Sequence, residues 1–308
     1  MATTQPLNLQ ANYNQGVELP TRTWWLDAWR RFRQQKVALV AGILFLLLIV
    51  LSLLAPVIAP YDPIEQFRKE GLSPLGQPLA PSARFWLGTD GLGRDLLSRL
   101  LYGGRISLGI GIAASALAVL VGLLIGGVAG FAGGKIDFFV MRFVDLVMSM
   151  PTFFITLLLV VMLSPGIWVV ITVISLFSWT GPARVFRSQI LAVKEQDFVQ
   201  AAHCLGVTPG RIFLRHLLPH VLPLLVVYLA LNIPNTIFAE ASLSFLGLGV
   251  PPPAPSWGSM IQDGFAYYRA APWIALFPGA AIALAVVTIN LLGTGLREAM
   301  DPMRKGKA

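Results

Sequence analysis

Few residues in this chain have the type and spacing that chemistry requires. Its three histidines, His203, His216 and His220, fall close together, but no H-E-x-x-H occurs to place two of them on one helix face around a zinc ion. Cys204 is the single cysteine, which excludes an intrachain disulfide and a multi-cysteine metal site. The glycine-rich stretch Gly130 to Lys135 has the outline of a phosphate loop. However, Ala129 stands where the first glycine belongs, and Ile136 where Ser or Thr would hold magnesium. Asp145 and Glu240 are near-membrane acids. Arg142 stands three residues before Asp145, the spacing of a helical ion pair. A proton-coupled carrier would carry several acids at mid-span, and these two belong to opposite ends of theirs. The chain therefore reads as a non-enzyme, with catalytic residues none and metal ligands none.

The elements around these residues belong to a membrane. Of 308 residues, 56% are hydrophobic and 12% charged, with mean hydropathy +0.70. A soluble fold would have too little polar surface to face water. Residues 1–21 are polar and lack the apolar core of a cleavable signal peptide. Apolar runs at 37–59, 106–131, 138–163, 166–181, 218–238 and 273–293 predict six spans, since a crossing helix takes about 20 residues. The fourth run is short and needs local thinning or shielding. Thr21 to Lys36 predicts an interfacial helix, with Trp25, Trp29 and Phe32 at i, i+4 and i+7 and arginines elsewhere on the wheel. Ala114, Ala118, Gly122, Gly126 and Gly130 recur every fourth residue, a stripe that lets helix backbones approach closely. Pro151 and Pro234 are expected bend points.

Charge placement gives the expected orientation. With the N-terminus inside, cytoplasmic segments carry sixteen basic and eight acidic residues, while the outer segments carry seven of each. The whole net charge of +8 then lies on one side, which is a topology signal. It is not a nucleic-acid footprint. Both termini are expected in the cytoplasm of a multi-pass protein of the bacterial plasma (inner) membrane. The predicted organisation is a cytoplasmic segment 1–36, span one at 37–59 and an extracytoplasmic segment 60–105. A five-span core at 106–303 with an inner loop at 182–217 follows, and then a basic tail at 304–308.

That inner loop is the most informative stretch. Asp197 is placed to N-cap a short helix, with Gln200 three residues on completing a capping box. Gly206 is a natural terminator, and Thr208-Pro209 starts a second helix as N-cap and first residue, running to Pro219 where the next span begins.

Gln200-Ala201-Ala202, Gly206 and His216-Leu217-Leu218-Pro219 resemble, at matching spacing, the E-A-A signature of binding-protein-dependent ABC importer permeases. Leu87-Gly88-Thr89-Asp90 through Gly93-Arg94-Asp95 and Ser98-Arg99 to Tyr102-Gly103 is similar to C-type dipeptide and oligopeptide permeases of the peptide/nickel family. So are Glu240 to Gly249, Pro251-Pro252, Ser256-Trp257-Gly258, Phe277-Pro278-Gly279 to Asn290-Leu291-Leu292-Gly293, and Gly295-Leu296-Arg297 with Asp301-Pro302. The resemblance covers about 37–303. Gln200 replaces the family's Glu and Thr294 its frequent Asp, so an ionic contact by the former to an ATPase is not carried over.

The resemblance implies an all-α type I ABC importer permease with six transmembrane helices, forming half of a pathway for dipeptides or oligopeptides. A permease of the same architecture for nickel or another small solute, and a stand-alone secondary carrier or membrane enzyme, are the alternatives. Implied partners are a second homologous permease, two cytoplasmic ATPase subunits and an extracytoplasmic solute-binding protein, besides the lipid bilayer. ATP and magnesium belong to the partner subunits. In this chain Asp197, Gln200, Ala201, Ala202, Gly206, His216 and Pro219 would couple to the ATPases, with both alanines fitting the ATPase groove. Asp90, Arg94, Asp95, Glu240 and Trp257 would dock the binding protein or gate the pathway. For the segment around Asp90, a capped turn with a local ion pair is the competing reading.

Overall fold

The computed structural model describes residues 24–300. Residues 1–23, the side chain of Trp25, the Asp301-Pro302 pair and the tail at 304–308 lie outside the described residues. Among those described, the structure is helical, with two isolated bridges, Leu72–Pro78 and Thr89–Asp95, and no strand.

The helices in chain order are α1 (Trp24–Gln34), α2 (Lys36–Leu53), α3 (Ala55–Ile58), α4 (Leu96–Ala132), α5 (Gly134–Ser149), α6 (Thr152–Leu163) and α7 (Ile167–Ser178). They continue as α8 (Thr180–Lys194), α9 (Asp197–Cys204), α10 (Pro209–Ile212), a π segment (Phe213–Leu217), α11 (Leu218–Phe245), α12 (Trp257–Phe265) and α13 (Trp273–Met300). Four stretches are each long and apolar enough to cross a membrane: α2, α4, the run Pro209–Phe245 and α13. The bent pairs α5–α6 and α7–α8 bring the number to six if each pair makes one crossing.

Several boundaries differ from expectation. The helix that carries the second apolar run begins at Leu96, well before the run itself at 106, because Asp95 caps a helix that continues unbroken through Arg99 and Arg105. The third is no single helix: it breaks at Met150-Pro151 with an 82° bend. Pro151 has no N–H to extend a ladder and disfavours a helical residue before it. Helix α7 turns by 45° into α8, so about the first third of the expected inner loop 182–217 is helix that follows the short fourth span across one bend. Pro234 stays inside α11 and is buried there.

Helix α4 is the axis of the bundle. Its small-residue stripe does what the spacing predicts: Ala114 and Ala118 are fully buried, and α8 lies directly on the glycines. A methyl group added at Gly122 would come within 2.7 Å of the Pro182 Cβ, one at Gly126 would overlap the Ala183 carbonyl, and one at Gly130 would come within 2.9 Å of the Arg187 carbonyl. One core joins α2, α4, α11, α12 and α13 through Phe45, Leu108, Ile237, Trp257, Met260 and Ile289. A second joins α4, α8, α9 and α11 through Val119, Leu123, Phe186, Ile190, Val199 and Val221.

At one end, α1 folds back on α13. Phe32 is buried with Ala38 and Ala299, Gln35 donates to Glu298 at 3.3 Å, and Trp29 is left 57% exposed. Phe32 thus points into the protein and away from the lipid-facing position expected of it. The described first and last helix ends therefore share the end of the bundle that holds α9.

Candidate functional site

The residues singled out in the sequence fall into two groups at opposite ends of the bundle. The first contains Asp90, Arg94, Asp95, Glu240 and Trp257. Glycines at positive φ, Gly88 (82°) and Gly93 (75°), fold residues 88–95 into a tight turn that only a residue without a Cβ enters easily. Asp90 closes that turn by accepting from the Leu92 and Arg94 backbone N–H groups at 2.9 and 3.0 Å. Its second oxygen pairs with the Arg94 Nε at 2.6 Å and the Arg99 Nε at 3.2 Å. Both guanidinium groups also reach Asp263 on α12, each at 3.2 Å. Asp95 caps α4, accepting from the Ser98 N–H (2.8 Å) and hydroxyl (2.7 Å).

Trp257 opens α12, where Ser256 and Ser259 form a capping box. Its backbone N–H donates to the Ser107 hydroxyl at 3.1 Å and its indole to the Leu100 carbonyl at 3.0 Å, so α12 is bolted to α4. Glu240 on α11 accepts from Ser244 at 2.6 Å, and its other oxygen, Oε2, has no partner.

These five residues are 0–8% exposed. Side chains held that way brace this chain's own fold. The capped turn with a local ion pair is the arrangement seen, enlarged by Arg99 and Asp263. Burial pushes the carboxyl of Asp95 above its ordinary value, against the hydrogen bonds from Ser98. It does the same to Asp263, opposed by the cations of Arg99 and Arg94. Asp263 is the residue that sequence reasoning missed. Its signal was available: it is the one acid between Glu240 and Glu298.

The second group lies around α9. Asp197 is the first helical residue and Gln196 the N-cap, with no side-chain cap on either. The predicted capping box is therefore corrected. Gln200 reaches backward and its Nε2 donates to the Lys194 carbonyl at 3.3 Å, closing the α8–α9 corner. Gly206 behaves as predicted, with φ +73°. Val207 donates to the Ala202 carbonyl (3.1 Å) and Gly206 to that of His203 (3.0 Å), the two bonds that seal a helix end through a left-handed residue. Thr208 precedes Pro209 as expected.

No join is made at Pro219. The helix runs on from Pro209 to Phe245, and the π segment before Pro219 widens the turn where its ring would press on the carbonyl four residues back. His216 and His220 flank Phe198, with His220 stacked on it at 4.9 Å. The expected Ala201–Ala202 face is split. Ala201 is exposed, whereas Ala202 is 6% exposed and packed with Val199 in the second core, because residues three apart share a helix face. Ala201 and Leu205 (83% exposed) stand one turn apart on an exposed side of α9, and Leu214 (63%) is exposed on the π segment. Gly130 to Lys135 is a helix–turn–helix corner, with Gly133 and Gly134 at positive φ.

Comparison with known proteins places the chain in a family. Residues 105–306 match the family described as binding-protein-dependent transport system inner membrane component. Residues 23–74 match the N-terminal TM domain of oligopeptide transport permease C. The chain is 38% identical over 287 residues to the dipeptide transport system permease protein DppC of Bacillus subtilis, covering 93% of this chain and 88% of that one. It is 36% identical to the oligopeptide transport system permease protein OppC of Haemophilus influenzae, with 97% of each covered. To the glutathione transport system permease protein GsiD of Escherichia coli it is 41% identical, with 92% of each covered. An inward-facing structure of the MetNI methionine ABC transporter superposes with a TM-score of 0.56 at 20% identity, over 67% of this chain and 98% of that one. At that identity the likeness concerns the fold.

Proposed function

The chain belongs to the binding-protein-dependent inner membrane components, the permease subunits of ABC importers, and from that membership we propose that its cargo is a short peptide. It is a multi-pass membrane protein of a family that works with ATPase and binding-protein partners. The observation that carries the peptide reading is the near-full-length similarity to permeases named for dipeptide, oligopeptide and glutathione transport.

In this reading the chain forms half of the pathway and a second, homologous permease the other half. Two ATPase subunits bind ATP and magnesium on the cytoplasmic side, taken as the end of the bundle that holds α9. Closure of the ATPases pushes on Ala201, Leu205 and Leu214, and the helix from Pro209 to Phe245 carries that push along the bundle. The turn at 88–95 holds the opposite, outer end beneath the binding protein. Such transmission requires the ATPase contact to favour one state of the bundle over the other.

Reconstitution tests this directly. Proteoliposomes containing this chain, its partner permease and its ATPases should take up labelled di- and tripeptides only with ATP and binding protein. Uptake of nickel and not peptide would move the cargo to the alternative solute, and uptake by this chain alone would remove the ABC reading. Within that assay Gly206 isolates coupling. A Cβ there meets no atom of this chain within 4 Å, so the Gly206→Trp side chain starts into open space, at a left-handed-backbone cost of about 1–2 kcal/mol. The variant should assemble yet lose uptake, while Gly206→Asn, which tolerates that backbone, retains most of it. Full uptake in Gly206→Trp would sink the coupling role.

A further inference from the structure

A groove between α4, α7 and the segments at 62–64 and 253–255 is used by neither group of residues above. Its volume is about 550 Å³, within the roughly 300–1,000 Å³ typical of small-molecule sites. The register of α4 gives it two ends of different chemistry. Tyr102 and Arg105 lie toward the helix start with Asp62 beside them, while Gly109 and Ile110 lie deeper with Ile171 of α7. A Cβ added at Gly109 meets no atom within 4 Å, so the groove stays open at that depth.

Its two charges are available. Arg105 is exposed and makes no ion pair among the described residues. Asp62 makes none either, and its carboxylate accepts only the Ile64 N–H at 2.9 Å. Below Arg105 the exposed side of α4 continues through Leu117, Leu120, Leu124 and Val128, which are 41–67% exposed. Trp168, 79% exposed at the start of α7, follows the groove-lining Ile167 and is a residue type that settles at a membrane–water boundary.

We propose that this groove binds a zwitterionic phospholipid whose headgroup carries an amine beyond its phosphate. The phosphate meets Arg105, the ammonium meets Asp62, and one acyl chain runs over Ile106, Gly109 and Ile110. One cation beside one anion suits a headgroup of zero net charge. An anionic lipid would gain the arginine and be repelled by the aspartate. A soluble partner is disfavoured because the deeper half opens along an apolar helix face below the boundary.

The test uses the full chain in nanodiscs of equal phosphatidylethanolamine and phosphatidylglycerol, followed by extraction into detergent and mass spectrometry of retained lipid. Phosphatidylethanolamine should be retained in preference. Gly109→Leu, which fills the groove, and Arg105→Gln, which removes the phosphate contact, should each lower its retention about tenfold, equivalent to roughly 1.4 kcal/mol. Equal retention of both lipids, or unchanged retention in both variants, would overturn the proposal. So would displacement of the lipid by a di- or tripeptide, which would give the groove to solute. If Gly109→Leu fails to fold, Arg105→Gln decides alone, since an exposed arginine without an ion pair carries no packing.

Discussion

At the turn end, Asp90, Arg94 and Arg99 have side chains 1–10% exposed and converge with Asp263, whereas α9 at the other end is held by Val199 and Ala202 resting on an apolar core. Charges in a dry environment are satisfied in one arrangement and penalised in neighbouring ones. Apolar contact is non-directional and lets an eight-residue helix shift without leaving a polar group stranded. The difference assigns the ends separate duties. The turn is a frame against which helices are positioned, and α9 is a part that can be pushed.

The largest effect should come from breaking the frame. Arg99→Met leaves the buried Asp90 and the part-exposed Asp263 with Arg94 alone, and removing one partner of a buried ion pair costs up to about 3–5 kcal/mol. Arg184→Met removes one of the two partners of Asp145, from an ion pair in which both side chains are more than 40% exposed. It should cost roughly 0–1 kcal/mol. Thermal unfolding in detergent separates them. Similar small losses in both would mean that the turn end is not a rigid frame.

A middle-sized effect divides the two alanines of the coupling motif. Ala202→Leu forces a larger side chain between Val199, Ile212 and their neighbours, at about 1–3 kcal/mol for overpacking. Ala201→Leu, on the exposed face, should stay within about 0.5 kcal/mol of the parent in stability while reducing uptake. A reversed pattern, with Ala201 sensitive to unfolding and Ala202 not, would return both residues to a common outward face.

The sequence disclosed features that depend on a few neighbouring residues. Span positions followed from hydropathy, the close approach at Gly122, Gly126 and Gly130 from their spacing, and the end of α9 from Gly206. What it concealed depended on distant partners. Asp263 lies more than 160 residues from the arginines it holds, and no local pattern announces that meeting. The Asp197 capping box failed because the helix begins one residue earlier in register, with Gln196 as N-cap and Gln200 drawn to the α8 carbonyl at Lys194. Ala202 looked free because the spacing gives a face its period and leaves open which side meets the core. The bend at Pro151 was legible as a bend, yet its 82° depends on packing around α5 and α6.

The smallest effect probes the frame's electrostatics at Asp95. Its carboxyl is fully buried, one oxygen bonded twice by Ser98 and the other, Oδ1, unpartnered, and burial raises its pKa above 3.8. A raised carboxyl binds its proton more tightly when folded than when unfolded, so ionisation disfavours the folded state. The loss starts as pH climbs past the unfolded value near 3.8 and is complete above the folded one. Below that window both states are protonated and the group contributes nothing. Asp95→Asn keeps an N-cap of equal quality and removes the ionisation. The difference in stability between variant and parent should therefore be flat in strong acid and move in the variant's favour as pH rises through the window. A difference independent of pH would show that Asp95 titrates as an exposed acid, and that this corner of the frame is wet.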